Sequence, residues 1–411
     1  MRQLGEQELE DLLNGAAFLA SGGGGSRQMG EEILQAILAK SETVTLLDFQ
    51  EVEQPQWGVV PFAAGAPSDV HPQQARSFLS LHFSLSHFSR EKPETGRNYT
   101  LSDLLAAAIA PVELVEEIIG ENFSFVLPIE IGTANTFLAM FIAVSKNIAI
   151  VNGDGAGRSV PSLEMLTYSN SDLPVYPGAM ASIPSPFDSN NQTKLAIYPN
   201  QISTSNDLMI QTMQTEEFGN AGVMASYVMT GETLQNLCPI VPNTISLALE
   251  IGSVLRQATE QGKNPITALL GYFDENPALP NAFLLGEGEI VDIKKENVGR
   301  LDKLEVIVAT EKGEICISGF NENLVAYCNN SHEVPLAIGP DLICYLTPDG
   351  IALTNEELEK GIYLGIIGLQ APEESQQPTV IQGYREGITQ LGYAPYIPIQ
   401  YLLNSFDPWR C

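Results

Sequence analysis

The chain is 411 residues long, 44% hydrophobic and 17% charged: a globular composition, with apolar material for a large core and length for two or three domains. The 50 Asp and Glu against 20 Lys and Arg leave a formal net charge of −30. So acidic a surface repels phosphate backbones and anionic membranes, which excludes nucleic acid and membrane as partners and otherwise serves solubility.

Leu9, Leu12, Leu13, Ala16 and Leu19 recur at helical spacing and predict a helix over 6–20. The run SGGGGS (21–26) follows, then a second predicted helix over 30–40 with Ile33, Leu34, Ile37 and Leu38 on its apolar face. TVTLLDF and WGVVPFAA read as short strands of an α/β layer. Residues 68–100, with three histidines and SREKPETGRNYT, read as a long loop or insertion. Beyond it helix, strand and helix recur in LSDLLAAAIA, FSFVLPIEIG, ANTFLAMFIAVSKN and IAIVNGDG. This alternation predicts a parallel sheet with a second Gly-rich loop at a strand's carboxyl end, where ligands bind in open α/β sheets. The stretch 173–206, rich in Pro, Ser and Asn, reads as a linker-like excursion, and 244–262 as an amphipathic helix. After about residue 280 the period drops close to two, with Gly and Asn breaks. LGYAPYIPIQYLL is expected to form a last strand returning to the first domain. The expected class is α/β: a layered α/β domain over 1–279, then an all-β, barrel-like domain over 280–411.

Three motifs carry the candidate chemistry. IVNGDGAGRSVPSLEM (150–165) is neither a Walker A loop nor a dinucleotide fingerprint: Asn152 stands where the first glycine is needed, Arg158 where the lysine is, and the glycines give GxGxG. It reads either as a tight structural turn or as a small-molecule site, with Asp154 and Arg158 pairing with each other or meeting a ligand. SGGGGS either connects two helices or cradles an anion on the amides of Gly23, Gly24, Gly25 and Ser26 at a helix N-terminus. In LPIEIGTANTF (127–137), Glu130 ends an apolar strand and Asn135 lies near the next helix start, positions that suit ligand contact or capping equally.

The five cysteines form no CxxC pair and His82 and His87 are five apart, so neither a disulfide framework nor a metal motif is present; a cofactor is unknown, a divalent metal included. The acidic N-terminus has no apolar leader core and no run of about 18 apolar residues occurs, so a cytoplasmic protein is expected.

Read together and in order, LASGGGGS, VTLLDFQEV, VVPFAAGAP, PIEIGTANT, IVNGDGAGRSVPSLEM, NTISLALEIGSVL, LLGEGEIVDI, GFNENLVAY, GPDLICYLTPDG and LGYAPYIPIQ resemble the S-methyl thiohydantoin desulfurase-domain family over most of the chain. The resemblance implies an α/β domain joined to a barrel-like domain, usually in a homo-oligomer, and a small-molecule substrate with a hydantoin-like ring. It implies hydrolytic loss of sulfur, with water attacking the ring carbon between two nitrogens and a thiol leaving. Asp154 and Glu130 are the carboxylates in matching motifs. Arg158 and the amides of Gly155 and Gly157 would steady negative charge, with Thr133 and Asn135 beside them. The chain departs from the family at Ser26 and Arg27, where an acidic residue and proline are usual, at Thr133 and Ala134, and at Asn152, usually acidic. Such departures would produce the other reading, a non-catalytic relative that binds a small ligand or a protein partner.

Overall fold

A computed structural model of the chain describes residues 1–65, 101–183, 192–298, 301–329, 335–393 and 395–405. The 68–100 stretch and all four histidines lie outside the described residues. The first part runs β1 (Arg2–Leu4), α1 (Glu6–Leu19), α2 (Arg27–Leu38), β2 (Val44–Leu47), β3 (Trp57–Gly65), α3 (Leu101–Ala107), α4 (Ala110–Ile119), β4 (Phe123–Val126), α5 (Asn135–Lys146), β5 (Ala149–Val151) and β6 (Gly153–Asp154). It continues with β7 (Gly178–Ser182), β8 (Lys194–Ile197), α6 (Ile202–Met213), β9 (Ala221–Thr230), α7 (Gly231–Leu237), β10 (Val241–Pro242), α8 (Thr244–Glu260) and α9 (Pro265–Glu275). The second part holds β11 (Ala282–Val298), β12 (Leu301–Thr310), β13 (Gly313–Phe320), β14 (Glu322–Cys328), β15 (Pro335–Ile338), β16 (Leu342–Leu346), β17 (Ala352–Leu353), β18 (Tyr363–Leu369), α10 (Pro378–Gln390) and α11 (Ile399–Ser405).

The first sheet has the order β1-β2-β5-β4-β3-β9-β7-β8. Its centre, β2-β5-β4-β3, is parallel; the flanking strands pair antiparallel. Parallel strands need helical crossovers, and α5 supplies the one between β4 and β5. Its apolar residues are buried on most faces, because sheet covers one side and α2 another. The second sheet is wholly antiparallel, in the order β15-β14-β13-β12-β11-β18-β16-β17. It curls into a half-barrel that brings β14 to β16, where the Asn323 amide donates to the Ile343 carbonyl at 2.8 Å. The α/β region followed by an all-antiparallel, barrel-like sheet matches the expected class.

Three elements differ from the sequence reading. The second helix starts at Arg27, three residues early, because the Ser26 hydroxyl accepts from the Met29 N–H (3.1 Å) and caps it. The linker-like 173–206 stretch contains β7 and β8; GAMAS has little intrinsic strand signal and becomes a strand by pairing with β9. The expected last strand in LGYAPYIPIQYLL is instead the lead into α11. Pro398 cannot donate to a ladder, and its carbonyl accepts the first helical N–H, from Tyr401 (2.9 Å). The last strand is β18, which pairs with β11 and β16, and α10 makes the return to the first region: a Cβ on its Gly383 would lie 2.5 Å from the Glu164 carbonyl oxygen. Among the described residues, no helix is long and apolar enough to cross a membrane.

Helices α1 and α8 pack backbone to backbone. A Cβ on Gly15 would sit 1.7 Å from the Ala248 carbonyl oxygen, and one on Gly252 1.8 Å from that of Asp11. The Asp11 carboxylate in turn accepts a two-pronged bond from Arg256 (2.8 and 2.9 Å). Gly252→Ala should therefore cost about 3 kcal/mol, since neither backbone can retreat. Gly271→Ala, with open space at its helical position in α9, should raise stability by about 0.5–1 kcal/mol. Urea unfolding of the pair checks both signs.

Candidate functional site

Loops 22–25, 130–135 and 153–158, distant in sequence, converge where the parallel strands end against the second sheet. Gly24 has φ +77°, and a Cβ there would lie 2.8 Å from the Gly132 Cα and 2.7 Å from the Ser159 hydroxyl. Only glycine at both positions lets the two backbones meet. Thr133 Oγ1 sits at 3.1, 2.9 and 3.0 Å from the carbonyls of Gly24, Gly25 and Ser26, and the Ala134 N–H donates to Gly24 (2.8 Å). The Ser159 hydroxyl donates to the Ile131 carbonyl (2.9 Å), tying in the third loop. Gly23 faces a carboxylate from the second sheet rather than an open anion cradle: its Cβ position is 2.5 Å from Glu322 Oε1. The Ser26 hydroxyl is occupied as the α2 cap. Protein atoms also fill the space beside Gly155 and Gly157, which lie against the Tyr168 ring and Pro372.

Glu130 and Asp154 are both wholly buried. Glu130 Oε1 accepts from the Asn135 amide (3.1 Å) and Oε2 from the Val160 N–H (2.8 Å); Asn135 Oδ1 accepts from the Ala63 N–H (3.0 Å). Burial holds the Glu130 carboxyl well above the ordinary range. The Glu322 charge adds to this, the Val160 and Asn135 donors oppose it, and Asp154 adds a little more. Asp154 lies on β6, paired with β10, and its Oδ1 accepts from the N–H groups of Ala156 (2.7 Å) and Gly157 (2.8 Å). Its Oδ2 has no hydrogen bond of ordinary geometry among the described residues, nor does the Thr244 hydroxyl that faces it. Burial pushes the Asp154 carboxyl up to about 6, against the pull of that hydroxyl and of nearby N–H groups.

Asp154 and Arg158 do not pair. The guanidinium, buried without exposure, donates to the carbonyls of Ser159 (Nε, 3.0 Å), Asp341 (Nη1, 2.8 Å), Pro340 (Nη1, 3.4 Å) and Asn323 (Nη2, 2.7 Å). Carbonyls of the second sheet and its β15–β16 turn lie in reach of its fork, whereas Asp154 is turned back onto its own loop amides. Among the described residues no group of three or more His, Cys, Asp or Glu is arranged to hold a metal ion.

Models of two family domains match this sequence: the S-Me-THD-like N-terminal domain over residues 7–184 and the S-Me-THD-like C-terminal domain over 204–395. The chain belongs to the S-Me-THD-like family. In this S-Me-THD-like protein the second match begins within α6, so β9, a member of the first sheet, belongs to the C-terminal match. The loop cluster is built across both: Glu130, Asp154 and Arg158 come from the first, Glu322, Asn323 and Asp341 from the second. A crystal structure of a protein from Chromobacterium violaceum is similar to the chain, at a TM-score of 0.75 and 23% identity over 97% of this chain and 100% of that one; the likeness shows the fold. No curated protein matches.

Glu322, Asp341 and Tyr384 were not picked out from the sequence. The first two stand inside GFNENLVAY and GPDLICYLTPDG, which carry the resemblance but offer no spacing that marks a site. Asp341 accepts from the Ala371 N–H (2.8 Å), the Tyr396 hydroxyl (2.9 Å) and the Ile399 N–H (2.7 Å), and burial pushes it up to about 6 despite them.

Two predictions follow from the buried charges. Folded Asp154 and Asp341 hold their protons up to about pH 6, whereas the unfolded chain releases them near 3.8. The folded state therefore binds more protons in that window, and stability falls as pH rises through it, by on the order of 3 kcal/mol for Asp154 alone. Raised Glu130 acts in the same direction. The melting temperature should be higher at about pH 5 than at about pH 8, with a flatter profile for Asp154→Asn. Arg158→Lys keeps the charge but cannot reach the three separated groups of carbonyls, so it should lower stability by about 3 kcal/mol in denaturant titration.

Proposed function

We propose that the chain is a hydrolase acting on a hydantoin-like or thiohydantoin-like cyclic amide, by water attack at the ring carbon between the two nitrogens. The observation that carries this reading is Asp154: buried, pushed up to about 6, one oxygen fixed by two loop amides and the carboxyl faced otherwise by the Thr244 hydroxyl. A carboxylate near 6 is mostly ionised at neutral pH yet basic enough to take a proton from water. Glu130, which burial and the neighbouring Glu322 hold well above the ordinary range, is the candidate to give a proton to the departing sulfur. Two buried carboxyls, both raised and held by different donors, suit a base and an acid. Family membership supports the substrate class. Arg158, engaged by four carbonyls, positions the loop rather than contacting substrate. The reading takes a small molecule as substrate and assigns no metal or other cofactor.

A second reading, a relative that binds a ligand or a protein without turnover, draws on the same loop. Asp154 Oδ1 caps its own turn, and Gly155 and Gly157 are packed against protein.

Turnover of S-methyl thiohydantoin, followed by methanethiol release, separates the two. Asp154→Asn should lose about 100-fold or more in kcat with its melting temperature at neutral pH kept or raised. Unchanged turnover in this variant removes the catalytic base; a large fall in melting temperature with proportional loss of binding assigns Asp154 to the turn alone.

A further inference from the structure

Hydrolysis at this ring carbon needs a donor for the negative charge that develops, and Arg158 is not that donor, because backbone carbonyls hold its guanidinium. We propose that the Tyr384 hydroxyl, on α10, is the hydrogen-bond donor to the anionic intermediate, an inference that rests on the hydrolase reading of the site. Four tyrosines rank among the largest fully buried side chains: Tyr168, Tyr227, Tyr345 and Tyr384. Three have their hydroxyls engaged: Tyr168 donates to the Pro128 carbonyl (2.9 Å), Tyr227 meets the Ser169 hydroxyl (2.7 Å) and Tyr345 donates to Asn323 Oδ1 (3.3 Å). Tyr384 OH alone of the four has no hydrogen-bond partner among the described residues. A buried hydroxyl without a partner costs about 1–3 kcal/mol, a cost that a bound ligand removes.

The ring is held firmly. It lies against Gly339, whose Cβ position is 3.2 Å away, and 5.9 Å from the Arg158 Cζ. Both contacts come from the turn and the loop that close the site. Burial raises the phenol above its ordinary value, opposed by Arg158 and reinforced by the neighbouring carboxyls of Glu322, Glu130 and Asp154. The hydroxyl therefore stays protonated at neutral pH, as a donor must, and the ring's place beside Arg158 sets it next to the loop that carries Asp154.

Water oxygen bonds to C2 of the S-methyl thiohydantoin, its proton passing to Asp154. The C2=N pair moves onto the ring nitrogen, conjugated with the C4 carbonyl, and Tyr384 donates a hydrogen bond to that anionic system without losing its proton. The C2–S bond then breaks as the C2 carbonyl forms, the proton of the C2 hydroxyl passing to the anionic ring nitrogen to make the N–H of hydantoin, and methanethiol leaves with a proton from Glu130. The proton on Asp154 returns to Glu130, directly or through solvent, so water enters and hydantoin and methanethiol depart.

The test is Tyr384→Phe beside Asp154→Asn, with S-methyl thiohydantoin turnover, hydantoin binding and melting temperature measured on the full chain. Phe keeps the ring packing and removes only the hydroxyl. The expected result is a kcat lowered about 100-fold with a much smaller change in KM, the scale of one lost anion-hole donor, and a melting temperature equal or higher. A kcat within about twofold of wild type overturns the role, as does a melting temperature lowered by several degrees, which would mean that the fold itself holds the hydroxyl. Loss in Asp154→Asn with none in Tyr384→Phe leaves the hydrolase reading standing and removes Tyr384. Loss in Tyr384→Phe alone keeps Tyr384 and removes the base. A wild type that neither turns over nor binds these rings overturns both.

Discussion

One buried guanidinium holds the candidate site together. Arg158 lies on the loop that follows β6 and reaches the carbonyls of Asn323, Pro340 and Asp341, which belong to β14 and the turn before β16. A planar fork with several fixed donors satisfies separated carbonyls in a way that an ammonium cannot. The clamp also places positive charge among Glu130, Asp154, Glu322 and Asp341, four carboxyl side chains without solvent exposure. Unpaired buried carboxylates would be costly, and their surroundings answer by holding three of them above the usual range, with Arg158 pulling on Asp341.

Around that clamp the loops meet by subtraction of side chains. Gly24 against Gly132, Gly23 against Glu322 and Gly155 against Tyr168 leave no room for a Cβ. The glycines that look like a phosphate cradle in the sequence are the means by which two sheets share one polar interior. Acidic side chains line that interior, which disfavours a phosphate there.

The fold was largely legible because its signals are local. Leu9, Leu12, Leu13, Ala16 and Leu19 have helical spacing and are all buried on α1, and the change to a period near two at about 280 marks the start of the antiparallel sheet. Where the reading slipped, a single side chain or pairing decided the outcome: Ser26 capping α2, β9 recruiting GAMAS, Pro398 and Asp341 fixing the start of α11. The candidate residues Glu130, Asp154, Thr133 and Asn135 were legible because glycine and proline mark their loops. Tyr384 was not, because QGYREG is an ordinary helical stretch whose hydroxyl gains meaning only from what fails to meet it.

The sequence by itself determined the class of the fold, the acidic surface, the family resemblance and the loops that bear carboxyl groups, since composition, period and motif order are properties of the chain. The tertiary structure alone decided which groups meet. Asp341 and Asn323 stand more than a hundred residues from Arg158 yet supply its carbonyls, and the arginine whose spacing allowed either a pair with Asp154 or a ligand contact turns to those carbonyls instead. The reason is that burial and hydrogen-bond partners, which set each charge and each free donor, come from elements brought together by packing and not by neighbourhood along the chain.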